Sequence, residues 1–144
     1  MFRKLIATAP VWFTVPIRLA LGLTLIAHGS QKVLGSFGGP GLSNWTAGNA
    51  PLGLRPASMW LGAAALSEFL GGILVLLGLL TRVGAFFITM TMLVAIIGVH
   101  WPNFFASNRG FEFPLALLAM AVALLIAGGG RASIDETLSR GRRR

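Results

Sequence analysis

The sequence predicts an all-α fold: a four-helix transmembrane bundle with both termini cytoplasmic and a long outer loop between the first and second helices. Three observations predict it. Hydrophobic residues fill 55% of the 144 positions, charged residues only 11%, and mean hydropathy is +0.78. A soluble domain carries about 25% charged residues, so this chain has too few to cover a water-facing surface. Four apolar stretches follow one another, each near the roughly 20 residues that a membrane-crossing helix needs. Lys and Arg gather in alternate connections, as they do when one side faces the cytoplasm.

The first helix is expected at about residues 11–34, where the apolar run from Val11 to Leu34 is interrupted by Arg18, His28 and Lys32. Pro16 suits a first helical turn, where its missing N–H costs nothing. Pro10 and Pro16 break the run, and no small-residue cleavage site follows, so the segment reads as a retained span rather than a signal peptide. The second helix, about 57–80, holds one charge, Glu68. The third, about 83–101, is uncharged from Val83 to Val99 and bounded by Arg82 and His100. The fourth, about 112–129, is uncharged from Phe113 to Gly130. The short connection at Thr81-Arg82 makes the second and third helices antiparallel neighbours. Residues 1–144 thus form one membrane domain, closed by a basic cytoplasmic tail, 131–144. Within that tail Ser133 and Glu136 have capping-box spacing for a short helix.

With the N-terminus inside, the inner side collects nine basic residues: Arg3, Lys4, Arg18, Arg82, Arg131, Arg140, Arg142, Arg143 and Arg144. The outer side collects three: Lys32, Arg55 and Arg109. The net charge of +8 is therefore a topology signal for the lipid bilayer, and no nucleic-acid partner is expected. The chain has no Cys, which excludes thiol catalysis, disulfides and Cys-held iron–sulfur or zinc sites within it.

Both outer loops are rich in apolar groups. Gly35 to Arg55 holds turn formers together with Phe37, Leu42, Trp45, Leu52 and Leu54. It reads as a lid on the mouth of the bundle with a short interfacial helix, or as an interfacial loop with aromatic anchors. The loop from Trp101 to Gly110 has the same character. Small residues form stripes that let membrane helices approach closely. They are Ala64, Glu68 and Gly72 beside Ala63, Ser67 and Gly71 in the second helix, and Glu112, Ala116, Ala119 and Ala123 in the fourth. Both glutamates are accordingly expected to point into the bundle.

Depth ties the polar residues together. At ~1.5 Å per helical residue, Lys32 lies ~21 Å above Arg18, and Glu68 lies ~20 Å above Arg82. His100 lies ~27 Å above Arg82, and Glu112 ~28 Å above Arg131. His28, Gln31 and Lys32 share one helix face by their i, i+3, i+4 spacing. Ionisable groups at such depth cost a few kcal/mol unless paired or wetted. Two readings follow. In one, His28, Lys32, Glu68, His100 and Glu112 form a catalytic pocket, with Lys32 neutralising Glu68 and the fourth helix's N-terminal dipole holding Glu112. In the other they form a structural ion-pair network, with Arg109 capping Glu112. No His-Glu-x-x-His spacing supports a metal, and the depths of His28 and His100 differ by ~12 Å, which disfavours a shared haem; neither group is predicted.

Several motifs, in order, resemble the DoxX family of bacterial membrane proteins. They are Arg18-Leu-Ala-Leu-Gly, His28-Gly-Ser-Gln-Lys32, Gly35-Ser-Phe-Gly-Gly-Pro-Gly-Leu42, Glu68-Phe-Leu-Gly-Gly72, Gly78-Leu-Leu-Thr-Arg82, Val99-His-Trp-Pro-Asn103, Gly110-Phe-Glu-Phe113 and Gly130-Arg-Ala-Ser-Ile-Asp135. The resemblance runs from about Ile17 to Asp135. Ala132 stands where an aromatic is common in relatives. The resemblance implies a multi-pass protein of the bacterial inner membrane, with relatives named as subunits of a thiosulfate:quinone oxidoreductase or of other redox assemblies. It carries over His28, Gln31, Lys32, Glu68, His100 and Glu112 as a candidate site without a role for each, and a protein partner in a membrane complex. Paired acid and base residues at one depth then make quinone the expected cofactor, with His28, Gln31 and His100 as its binding residues. A non-catalytic accessory subunit, or a binder of a lipid-like molecule, is the alternative.

Overall fold

The structure is a computed structural model and describes residues 5–141. Of the inner basic count, Arg3, Lys4, Arg142, Arg143 and Arg144 lie outside the described residues. Six α-helices are described: α1 Thr14–Leu34, α2 Gly41–Thr46, α3 Ala57–Leu77, α4 Thr81–Ala95, α5 Glu112–Ala127 and α6 Ile134–Gly141. A π-helical turn, Ile96–His100, extends α4. No strand occurs among the described residues.

Several helix ends differ from expectation by two or three residues, and the hydrogen bonds at those ends give the reason. α1 begins at Thr14 rather than 11 because the chain before it pairs with the segment after α5: Ala9 N–H donates to Ala127 O at 3.0 Å, and Arg131 N–H to Val11 O at 2.9 Å. α1 stops at Leu34 because Gly35 takes φ 73 and its N–H bonds Ser30 O, a left-handed cap that glycine adopts without strain. Gly78 ends α3 at Leu77 in the same way. α4 starts at Thr81 rather than 83 because its first amides find a cap far away in sequence: the Asp135 carboxylate accepts from Leu80 N–H at 2.8 Å and Thr81 N–H at 2.9 Å.

One apolar core draws on four helices: Leu21 and Leu25 of α1, Val75 of α3, Ala85, Ile88 and Met92 of α4, and Leu117, Ala121 and Leu124 of α5. α1 lies along α3 in the closest packing of the molecule, because glycines remove the Cβ atoms between them. A Cβ on Gly29 would stand 2.5 Å from Phe69 N, and one on Gly72 3.0 Å from Ile26 N. Such contacts require the backbones to separate. The adjacent stripe, Ser67 and Gly71, faces α4: Thr91 Oγ1 lies 2.9 Å from Ser67 Oγ, and a Cβ on Gly71 would meet Ile88. The stripe expected in the fourth helix faces the other way. Pro114, Leu117, Ala121 and Leu124 are its buried side, while Ala116 and Ala119 are exposed. Packing volume decides this: the leucines fill the core between α4 and α1, and the alanines are left outside.

Two helical segments, Ala57–Leu77 and Thr81–His100, are long and apolar enough to cross a membrane; α5 is apolar but shorter. Arg18 and Lys32 dilute the apolar character of α1. Successive long helices run antiparallel, so the connections sort to two ends. At the loop end, Gly98 of the π turn packs against Pro51 and Leu52 of the long loop. At the basic end, a polar latch joins the start of α1, the α3–α4 turn and the segment before α6. Arg18 is buried and donates to three carbonyls: Nη1 to Gly129 O at 2.8 Å and Arg131 O at 3.3 Å, Nη2 to Ala132 O at 2.9 Å. Thr14 Oγ1 donates to Gly129 O at 3.0 Å, and Thr81 Oγ1 to Asp135 at 2.8 Å. The expected cap of α6 is present: Glu136 N–H donates to Ser133 Oγ at 3.1 Å, and the Glu136 carboxylate reaches back to Ala132 N–H at 3.1 Å.

Candidate functional site

At the loop end the last turns of α1 carry His28, Gln31 and Lys32 on one face. The glycine-mediated approach of α1 and α3 brings Lys32 onto Glu68. Its Nζ donates to Oε1 at 2.6 Å and to Oε2 at 2.5 Å. The Glu68 side chain is 7% exposed and that of Lys32 20%. The two charges cancel inside an apolar surround, and each oxygen has a donor. A carboxylate at this depth would otherwise cost several kcal/mol.

The long loop roofs this pair. Trp45 of α2 sets its ring 4.8 Å from Lys32 Nζ, a cation–π contact, and its indole N–H donates to Leu61 O of α3 at 2.9 Å. The turn after α1 folds back so closely that Gly39 lies against the Gln31 backbone, where a Cβ would not fit. Gln31 is thereby held half-buried. The short helix expected in this loop is α2, and its work is to seat Trp45.

His28 lies one turn before Lys32 and is exposed. Its ring centroid is 5.8 Å from that of Phe113, at the start of α5. No hydrogen bond engages its imidazole among the described residues. It stands at the seam between α1 and α5, which pack on each other far less than α1 packs on α3.

His100 and Glu112 have partners of another kind. The π turn ends at His100, whose Nδ1–H donates to Arg109 O at 2.6 Å. That bond engages Nδ1 and leaves Nε2 without a partner among the described residues. Glu112 Oε1 accepts from Ala106 N–H at 2.8 Å. Phe111 N–H and Glu112 N–H bond the carbonyls of Asn103 and Phe104, and Trp101 stacks on Phe111 at 5.7 Å. His100 and Glu112 therefore close one loop together without bonding each other. Arg109 contributes its carbonyl to His100; among the described residues the ion pairs are Lys32–Glu68 and Arg140–Glu136, so Arg109 does not cap Glu112. No three His, Cys, Asp or Glu residues converge among the described residues.

Sequence reasoning joined Lys32 to Glu68 by depth but passed over Trp45, Arg18 and Asp135 as contact residues. For Trp45 the available signal was an aromatic inside a Gly- and Pro-rich loop. For Arg18 and Asp135 it was their place in two of the motifs that carry the family resemblance, which names the residues but not their partners.

His28, Gln31, Lys32, Trp45, Glu68 and His100 fall inside a family match, and Glu112 and Phe113 lie beyond it. The DoxX family model matches residues 13–101. An uncharacterized membrane protein of Mycobacterium tuberculosis is 32% identical over 136 residues, covering 86% of this chain and 80% of that protein. A Bacillus subtilis protein named "Putative oxidoreductase CatD" is 29% identical, covering 90% of each chain. An uncharacterized protein of Haemophilus influenzae is 28% identical, covering 87% of this chain and 90% of its own. No solved structure gives a significant match.

Proposed function

The chain belongs to the DoxX family of membrane proteins, and from that membership and the ion pair at its loop end we propose that it serves as a membrane subunit in quinone-linked redox chemistry. The basic end faces the cytoplasm of a bacterial inner membrane in this reading, and the loops face outward. Arg18, Arg82, Arg131 and Arg140 support that orientation against Lys32, Arg55 and Arg109. The observation that carries the proposal is the buried Lys32–Glu68 pair, roofed by Trp45 and one helical turn from an imidazole with free nitrogens.

The residues present fit a quinone headgroup. His28 is exposed at a seam open to lipid, beside the flat ring of Phe113. A bound quinone would supply the redox chemistry, taking two electrons and two protons on reduction. His28 would donate a hydrogen bond to one carbonyl, and the Gln31 amide could do so from the same helix face. In this reading Glu68 would pass protons, and Lys32, bonded to both of its oxygens, would neutralise the carboxylate. Trp45 keeps bulk water off the pair. His100 offers Nε2 as an acceptor at the same end of the molecule. A protein partner would bring the electrons. The oxidoreductase in the Bacillus relative's name agrees with this class of chemistry.

Titration of the purified protein with decylubiquinone tests the proposal. Saturable binding is expected, weakened about fivefold by His28→Ala, the worth of one neutral hydrogen bond. Absence of saturable binding, together with unchanged quinone-dependent activity in Glu68→Gln, would overturn it. One observation favours a second reading, an accessory subunit without chemistry of its own: the Lys32–Glu68 pair is internally satisfied, and His100 and Glu112 are spent on loop closure. That reading predicts full assembly into a larger complex and normal complex activity in His28→Ala.

A further inference from the structure

A groove of about 390 Å³ opens at the basic end, lined by Leu5, Arg82, Val83, Phe86 and Leu125. Four of these five side chains are apolar, and Phe86 is 47% exposed. Arg82 forms its polar margin. Its Nε–H donates to Ala7 O at 3.1 Å and Nη2 to Ile126 O at 2.8 Å. The two bonds hold the guanidinium between the N-terminal segment and the end of α5. A guanidinium has five N–H donors, so three stay open, Nη1 among them. An arginine fixed in this way loses little further freedom on meeting an anion, and its planar fork suits a phosphate.

Hydrocarbon wall and pinned cation are the two halves of one recognition chemistry. We propose that the groove binds one phospholipid of the leaflet at the basic end. Its phosphodiester would sit on the open Arg82 donors, and one acyl chain would run along Val83, Phe86 and Leu125. Charge complementarity at the margin and the apolar floor favour this occupant over a free anion, which would gain nothing from the floor. The site is separate from Lys32 and Glu68, which lie at the opposite end. Arg131, at the same end, does not line the groove: its Nε–H donates to Pro10 O at 3.3 Å and its guanidinium lies 5.9 Å from the Trp12 ring.

Native mass spectrometry of the full chain in detergent, titrated with palmitoyl-oleoyl-phosphatidylglycerol, tests the proposal. Wild type should hold one lipid, and Arg82→Gln should hold it about tenfold more weakly, as expected when a charged hydrogen-bond partner is lost. Arg131→Gln should match wild type. Val83→Trp, which fills the groove without touching the guanidinium, should also release the lipid while keeping its helical circular dichroism. Equal retention by wild type and both groove variants would overturn the proposal. So would displacement of the lipid by inorganic phosphate, which would mark a free-anion site, or by decylubiquinone, which would mark the groove as a quinone site.

Discussion

Removing one partner of the Lys32–Glu68 pair should cost more than removing both. Lys32→Met leaves the Glu68 carboxylate, 7% exposed, with neither of its donors. Breaking a buried pair in this way costs about 3–5 kcal/mol. The reverse variant, Glu68→Leu, leaves an ammonium that is 20% exposed and still lies over the Trp45 ring. Water and the ring offset part of that loss, so about 2–3 kcal/mol is expected. The double variant Lys32→Met/Glu68→Leu leaves no unpaired charge and should fall within about 1 kcal/mol of wild type, or be more stable. Unfolding in mixed micelles, followed by circular dichroism, gives the four free energies of the cycle. Singles within about 0.5 kcal/mol of wild type, or Glu68→Leu costing more than Lys32→Met, would refute the reasoning from burial. The double variant also separates function from architecture. If it is stable and still binds decylubiquinone as wild type does, the pair is a structural clasp; if it is stable and does not bind, the pair belongs to the site.

Asp135→Ala should destabilise by about 3 kcal/mol in the same assay, since it orphans the amides of Leu80 and Thr81 and the Thr81 hydroxyl at a site 1% exposed. Wild-type stability in that variant would mean that water replaces the carboxylate. Arg18→Met should cost about 2–3 kcal/mol through the lost carbonyl partners, and Arg18→Lys should recover part of it; equal losses in both would point to packing instead. Gly29→Val should cost at least about 1–3 kcal/mol, because its Cβ would meet Phe69 N at 2.5 Å and push α1 off α3. A cross-linker spanning the two helices would report the wider gap. Trp45→Ala should lose about 1 kcal/mol of cation–π attraction and speed acylation of the Lys32 amine; an unchanged labelling rate would show that the ring does not screen the lysine.

The long-range feature most legible in the sequence was the Lys32–Glu68 contact. It followed from counting helical rise upward from Arg18 and Arg82, and helices carry such information because their rise is constant. The capping box at Ser133 and Glu136 was legible for a similar reason, being a local pattern of fixed spacing. His100 and Glu112 were matched in depth but not in partner. Each binds a backbone group, Arg109 O and Ala106 N–H, and every residue type offers those groups equally. The outward turn of Ala116 and Ala119 was hidden because small residues suit a close interface and a lipid-facing surface alike. Asp135 was hidden by distance, since its partners lie 54 and 55 residues away.

The two ends of the molecule solve the same problem with different chemistry. Each holds charge within a mainly apolar fold, where an unmet donor or acceptor is costly. At the basic end, Arg18 and Asp135 spend their bonds on fixed backbone groups and on Thr81, so that the start of α1, the α3–α4 turn and the segment before α6 become one rigid unit. Removing either side chain breaks bonds that join these segments. At the loop end, Lys32 and Glu68 answer each other through side chains alone, under a roof that belongs to a loop. Neither side chain of that pair bonds a backbone group among the described residues. The freedom of the His28 imidazole, one turn away at the α1–α5 seam, extends that contrast. The fold thus ties charge to fixed backbone at one end and to a side-chain pair under a loop at the other, and the proposed chemistry is put at the second on that ground.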